Sequence, residues 1–589
     1  MGNFQNIKTL KPSFIENKHA YLIGGGIASL AAAVFLIRDG HMDGNHITIL
    51  EETDILGGAM DGCGSFENGY LIRGGREMEE HYECTWDLFS TIPSLDDPTI
   101  SILEEFRELN IKDPNESTCR ILENCGKKGD FSSLGLNDLH IKQLAKLFLA
   151  TEDELGPTTV NQFFDKSFFD TNMWCFWRSM FAFETWHSVV EMKRYMERFI
   201  HLLPGMNSMK NIMFSKYNQY DSFILPLKNW LKSKGVIFNL NSQVTNLSME
   251  INEDIKKVTA IHLLRGKNKD VINVTENDLV FVTTGSMTEN STIGNMDTAP
   301  VLNSDEGACW TLWKNISKNH PSFGNPEVFC SDIDKSKWES FTITCKDSKL
   351  IKKLQDLTGR DPYSGKVVTG GIITIKDSNW LLSITCNRQP HFINQPKDVI
   401  VLWAYGLFPD NIGNFVKKKM CDCTGSELAM ELLYHMGLEN DIPEILTTIN
   451  IVPCMMPYVT SQFMPRIKGD RPDVVPKGSV NFAFLGQFVE IPGDCVFTVE
   501  YSVRSAMMGV YSLLNIDRNI PEVYPSKYDI RSISAAAKTL YGKRPLPGEF
   551  LIKKLLQNTS LDGLISVSYT HLTLPTTCTP CRSRWSPYH

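Results

Sequence analysis

The first residues whose spacing implies chemistry are Gly24, Gly26 and Ser29, in HAYLIGGGIASLAAAVFLIRDG. An apolar strand-like run enters the glycines and an alanine-rich helical stretch leaves them, so the turn can bring a pyrophosphate close to a helix N-terminus. Gly24, Gly26, Ile27 and Ala28 are the candidate contacts, and Ser29, in the place of a third glycine, is small enough to keep helix and strand close. Glu51 ends the next strand-like run, ITILEE, where a carboxylate accepts hydrogen bonds from a ribose hydroxyl. It follows Gly24 by 27 residues against a usual spacing of about 20, and the RDGHMDGNH connection accounts for the excess. A second glycine turn in ILGGAMDG, with Gly58 and Ala59, and then RGGREM, with Arg76, favour an extended flavin over a nicotinamide. Ser286 in TTGS, Gly486 in FLGQF, Val244 and Thr498 are the later candidate contacts, and FAD is the expected cofactor. Glycine turns of this form also join helix and strand where nothing binds.

These residues need a β-α-β unit to hold them, and the surrounding runs supply one. The expected fold class is α/β, a Rossmann-like FAD-binding domain with a mixed α/β substrate domain and helical insertions. Residues 1–136, 236–298 and a return segment 479–520 are assigned to the FAD-binding domain, and 299–478 to the substrate domain. Residues 137–235 are read as a helical insertion whose aromatics, between Phe163 and Trp186, line a channel or simply fill a core. Residues 521–565 are read as a C-terminal helical region. The last stretch, 566–589, SVSYTHLTLPTTCTPCRSRWSPYH, has no periodicity and resembles a translated adapter, so a native terminus is expected to be missing beyond about Ile565.

Composition narrows the function. The chain has 589 residues, 42% apolar and 22% charged, which suits a globular protein of several domain-sized units. With 59 basic against 68 acidic residues and a net charge of -9 it lacks the basic surface that nucleic acid requires. Fifteen scattered cysteines without a secretory signal indicate free thiols in a reducing cytoplasm. The longest apolar run, Ala20 to Ile37, is interrupted by three glycines and has no counterpart, which excludes a polytopic membrane protein and leaves peripheral contact open.

From RGGREMEEHYECTWDLFSTIPSL (Arg73 to Leu95) the chain resembles the fatty acid double bond hydratases, also called the oleate hydratase or myosin-cross-reactive antigen family. The resemblance continues through MFAFETWHSVVEMKRYMERF, KYNQYDSFILP, ACWTLWKN, SITCNRQ, MPYVTSQFMPR and FTVEYSVRSAM, and covers about residues 15 to 550. It implies hydration of a cis double bond in a long-chain unsaturated fatty acid, of the oleate to 10-hydroxystearate type, with water as co-substrate and FAD bound without net redox change. It further implies that Glu77 activates the water, that Tyr195 donates the proton, and that Thr385 and Asn387 bind the substrate head group. Neutral donors can hold a carboxylate when enough converge, so charge from the nearby Arg388 or His391 is an addition and not a requirement. It also implies a homodimer with peripheral membrane contact through the C-terminal helices. Ala59 departs from the family, where serine is common.

Read without the resemblance, Glu77 suits a capping or salt-bridged carboxylate near Arg73 and Arg76, and Tyr195 a core tyrosine on an amphipathic helix. Flavin oxidoreductases of the amine oxidase or carotenoid desaturase type share the glycine pattern, and an FAD-stabilised lipid-binding protein without catalysis is a third class. GRDPYSGK (Gly359 to Lys366) has one residue too many for a phosphate loop and Val367 where a magnesium ligand belongs. Cys421-x-Cys423 has no second pair, and His81 with Cys84 lacks a third ligand, so no metal is expected.

Overall fold

Ala20–Ile23 is the central strand of a five-stranded, all-parallel sheet. The order across it is Phe482–Leu485, Leu279–Thr283, Ala20–Ile23, Ile47–Leu50 and Ile237–Asn239. The strand order reverses beside Ala20–Ile23, and such a switch point leaves a crevice at the carboxyl ends of the strands. The helix after the glycines, Ile27–Arg38, has every residue from Ile27 through Leu36 buried. Its alanines let it lie between the sheet and two further helices, Val499–Leu514 and Leu225–Ser233, in one continuous core.

The computed structural model describes residues 9–544 apart from Arg76, Asn319 and Lys543. The described residues up to Ala536 form one compact unit and those from Ala537 another. The expected Arg76 contact, most of the C-terminal helical region and the 566–589 stretch lie outside the described residues.

The second large element is an eight-stranded mixed sheet. Its order is Thr292–Ile293, Ile449–Met456, Trp338–Cys345, Ile400–Gly406, Leu382–Thr385, Ile373–Ile375, Ile121–Glu123 and Lys127–Lys128. Alternation along the strands sorts its two faces. Phe341, Ile343, Leu402, Ala404 and Ile384 face a core capped by the helices Ser348–Thr358 and Gly425–His435. Trp338, Val401, Trp403 and Tyr405 face the opposite way.

The strands depart from the segment boundaries expected from the sequence. Ile121–Glu123 and Thr292–Ile293 fall in segments assigned to the FAD-binding domain, yet they pair with Ile373–Ile375 and Ile449–Met456 of the large sheet. Leu225–Ser233 falls in the expected insertion, yet it leads the chain into Ile237–Asn239 and packs on the dinucleotide helix. The reason is the same in each case. Strand partnership is set by backbone pairing between segments far apart in sequence, which local periodicity does not carry. Among the described residues no helix is long and apolar enough to cross a membrane.

Candidate active site

A cleft of about 390 Å³ opens where Ala20–Ile23 and Leu279–Thr283 end. Gly24, Gly26, Ile27, Ala28, Glu51, Gly58, Ala59, Val244, Ser286, Gly486 and Thr498 all line it. Gly24 has φ +95°, and a Cβ there would stand 3.3 Å from Thr283, so glycine is needed for both conformation and space. The two glycine turns meet backbone to backbone: Gly57 N–H donates to Gly25 O at 2.9 Å, and a Cβ on Gly58 would lie 3.3 Å from Gly26 Cα. Gly26 is the N-cap of its helix and has no side chain to take the first N–H groups, which leaves them for an anion. The Ser29 hydroxyl lies 3.3 Å from that of Thr283, fastening helix to strand where a third glycine is usual.

The Glu51 carboxylate accepts from Gly25 N–H at 2.6 Å and from the Thr53 N–H and hydroxyl at 2.9 and 2.8 Å. A carboxylate has about four lone-pair sites, so one remains for a ribose hydroxyl. A glycine cradle that side chains would fill, an uncapped helix and a carboxylate at the next strand end together fit a dinucleotide.

A second cavity, of about 110 Å³, adjoins the cleft. Ala59, Arg73, Met287, Thr288, Phe497, Thr498 and Val499 line both. Glu77, Tyr195, Thr385 and Asn387, far apart in sequence, all line this second cavity. Glu77 follows the hairpin Gly62–Ser65 and Gly69–Ile72, and reciprocal backbone bonds between Met78 and Met213, 3.0 and 2.8 Å, hold the chain just after it. The Arg73 guanidinium pairs with Asp61, Nε to Oδ1 2.9 Å, and so does not neutralise Glu77. Burial pushes the Glu77 carboxyl up to about 7, against the opposing pull of Arg120. Arg120 is fully buried, donates to the Ile372 carbonyl and lies 5.0 Å over the Phe176 ring.

Tyr195 lies on the helix Val189–Arg198, polar in sequence yet almost wholly buried, which folds here only because its charges are paired. Glu191 accepts from Arg466 at 2.7 Å and lies 3.1 Å from Arg471, and Arg198 pairs with Glu79 at 3.0 Å. Burial opposes ionisation of Glu191, but Arg471 and Arg466 hold its carboxyl down to about 2. The helix is thereby fixed at several points, and Tyr195 with it. The Tyr195 hydroxyl donates to the Val496 carbonyl at 2.5 Å, and its ring is flanked by Phe181 at 4.8 Å and Phe183 at 5.4 Å. Burial raises the phenol well above its usual range. A left-handed turn at Ala182, φ +57°, ends the helix Asn172–Phe181 and sets those two phenylalanines on either side of it.

Thr385 ends its strand and its hydroxyl donates to the Asn387 side-chain carbonyl at 3.3 Å. The charge expected from Arg388 or His391 does not reach the cavity. Arg388 is bound to Asp113 at 3.1 Å and to the Phe214 carbonyl, and burial lowers His391 to about 4, which leaves it neutral. Most of the aromatics between Phe163 and Trp186 build core: Phe168, Trp174, Phe176 and Phe183 are buried, and of the run only Phe181 lines the cavity. Sequence reasoning missed Trp338, Trp403, Tyr405 and Phe497. The first three sit in runs legible as strands but carry no motif. Phe497 has φ +71°, an outlier for a bulky residue, held by the Gln487 side chain, which accepts from its N–H and donates to Thr498 O at 2.8 Å.

A model described as the MCRA family matches residues 17–511. The chain is 44% identical over 565 residues to an oleate hydratase of Streptococcus pyogenes serotype M49 (strain NZ131), covering 94% of this chain and 96% of that one. It is 31% identical over 569 residues to a linoleate hydratase of Lactiplantibacillus plantarum, covering 90% and 99%. Among solved structures, a putrescine oxidase with redesigned cofactor binding aligns over 85% of this chain and 99% of its own, with TM-score 0.50 and 12% identity, which shows a shared fold.

Proposed function

The chain belongs to the MCRA family, and from that premise we propose that it is a hydro-lyase adding water across the cis double bond of a long-chain unsaturated fatty acid. The observation that carries the reading is the shared wall between the dinucleotide cleft and a cavity lined by Glu77, Tyr195, Thr385 and Asn387. The cleft is read as the site of FAD, held by Gly24, Gly26, Ile27, Ala28, Glu51, Gly58, Ala59, Val244, Ser286, Gly486 and Thr498, with Arg76 the further candidate. When bound, FAD supplies an electron-rich surface beside the alkene and undergoes no net redox change.

The residues account for the proton balance. Glu77, with its carboxyl at about 7, is ionised in part at neutral pH and takes a proton from water as the oxygen bonds to one alkene carbon. Tyr195 gives its hydroxyl proton to the other carbon. The proton on Glu77 then restores the phenol, so that alkene plus water equals alcohol. Burial makes Tyr195 a weaker acid than a free phenol, so water attack and proton transfer must be nearly concerted. Thr385 and Asn387 hold the carboxylate, the asparagine through its amide N–H groups and the threonine by orienting that amide through its hydroxyl.

The reading extends to a cytoplasmic homodimer with peripheral membrane contact, tested by light scattering and vesicle flotation. The activity is tested by incubating oleate with FAD-loaded protein in oxygen-18 water. A hydroxy acid carrying one labelled oxygen is expected, with Glu77→Gln and Tyr195→Phe inactive while retaining flavin absorbance. Loss of two hydrogens from the acid with bleaching of the flavin would overturn the reading in favour of an oxidoreductase.

A further inference from the structure

The peptide between Val496 and Phe497 is held from both sides. Its carbonyl accepts from the Tyr195 hydroxyl at 2.5 Å, and its N–H donates to Gln487 Oε1. A trans peptide is planar, with C=O and N–H pointing opposite ways, so whatever fixes one of these bonds aims the other. The orientation of the Gln487 amide is forced, since Phe497 N–H can only donate and the Thr498 carbonyl, 2.8 Å from Nε2, can only accept. The same nitrogen donates to the Ser502 hydroxyl at 2.8 Å, in the first turn of the helix Val499–Leu514. Gln487 thereby ties the peptide to that helix.

Phe497 needs such a clamp. Its φ of +71° is a conformation that glycine adopts freely and a bulky residue avoids. Phe497 joins the peptide to the helix, so relaxation of its φ toward negative values would turn the Val496 carbonyl away from Tyr195. Around the Tyr195 ring stand Phe181, Phe183, Phe199 and Phe463, with centroids 4.8, 5.4, 5.7 and 5.9 Å away. None of these has a lone pair to align the O–H, so the carbonyl sets its direction. A carbonyl acceptor also favours the protonated phenol, the form that an acid must keep until the alkene arrives.

We infer that Gln487 is a positioning residue for the proton donor: through the Val496–Phe497 peptide it holds the Tyr195 hydroxyl in place at the substrate cavity, and rotation about the Cζ–O bond carries the proton from the carbonyl to the alkene. The inference rests on the hydration reading above. Gln487 lines the dinucleotide cleft and Tyr195 the smaller cavity, so loss of the amide should alter kcat rather than KM. The test is steady-state oleate hydration at saturating FAD, with product quantified by mass spectrometry and flavin occupancy and spectrum recorded for each protein. Gln487→Leu and Gln487→Met keep the bulk of the side chain and remove the amide; either one that folds and loads flavin carries the test. The substitution is repeated in a Phe497→Gly background, where glycine takes a positive φ without a clamp.

Misplacing a reacting group by about 1 Å can cost on the order of a hundredfold, so kcat is expected to fall about tenfold or more, with KM for oleate within about twofold and the flavin spectrum unchanged. In the Phe497→Gly background the same substitution is expected to cost less than about twofold, because the strain that the amide opposes is gone. Unchanged kcat in the parent background, or equal losses in both backgrounds, overturns the inference. A loss that comes with a shifted flavin spectrum or lowered occupancy also overturns it and assigns Gln487 to the cofactor, and failure of both variants to fold assigns the amide to loop stability instead. Failure of the folded, FAD-loaded parent to hydrate oleate overturns the hydration reading itself.

Discussion

Replacing Arg120 with methionine removes a buried cation whose attraction opposes the effect of burial on Glu77, and the pH profile of hydration should report it. The Glu77 carboxyl sits at about 7 with Arg120 present. A general base must be ionised, so activity is present above that value and is lost as pH falls through it. A nearby opposite charge typically lowers a carboxyl by about 1–3 units, so its removal moves the midpoint up by about one unit or more. At pH 7 roughly half of Glu77 is then ionised in the parent and about a tenth in the variant, which predicts about a fivefold loss of kcat/KM that disappears near pH 9. Methionine has the length and polarisability to keep contact with the Phe176 ring, which the guanidinium overlies at 5.0 Å. The Ile372 carbonyl loses its donor, at a cost of about 1–3 kcal/mol, so unfolding curves must precede the kinetics. The assay is initial-rate oleate hydration across about pH 5.5 to 9.5, with product quantified by mass spectrometry. A variant profile with the parent's midpoint, whether superposed or uniformly reduced, would refute the reasoning.

Two further outcomes follow from the geometry. Gly24→Ala places a Cβ 3.3 Å from Thr283 at φ +95°; it should cost on the order of 1–3 kcal/mol and release flavin, read by absorbance after gel filtration and by thermal unfolding. Glu191 has a folded value of about 2 against an ordinary carboxylate near 4.3, so its contribution of about 3 kcal/mol is present above about pH 5 and is lost as pH falls toward 2. The slope of unfolding free energy against pH in that window should flatten in Glu191→Gln, and an unchanged slope would mean another group governs it.

The dinucleotide half was largely legible in the chain because its chemistry is local. Gly24, Gly26 and Glu51 sit in a strand, a turn, a helix and a strand that follow one another, and the alanine-rich run can only be a tightly packed helix. Glu77 and Tyr195 were reached through resemblance, since a carboxylate near two arginines and a tyrosine on an apolar helix face are ordinary in any core. The environment of Glu77 was not legible: Arg73 is taken by Asp61, and the cation that bears on Glu77 is Arg120, which stands just before the strand Ile121–Glu123, assigned by sequence to the FAD-binding segment but paired in the large sheet.

The chain by itself determined the α/β class, the glycine cradle and the residue types needed for acid and base, because these depend on periodicity, on positive φ and on side-chain chemistry. Only the tertiary structure decided which strands pair, that the Arg388 charge is spent on Asp113, and that the aromatic run is mostly core. Those features arise where segments separated by hundreds of residues meet, and they are set by hydrogen-bond register and desolvation, neither of which a linear pattern encodes.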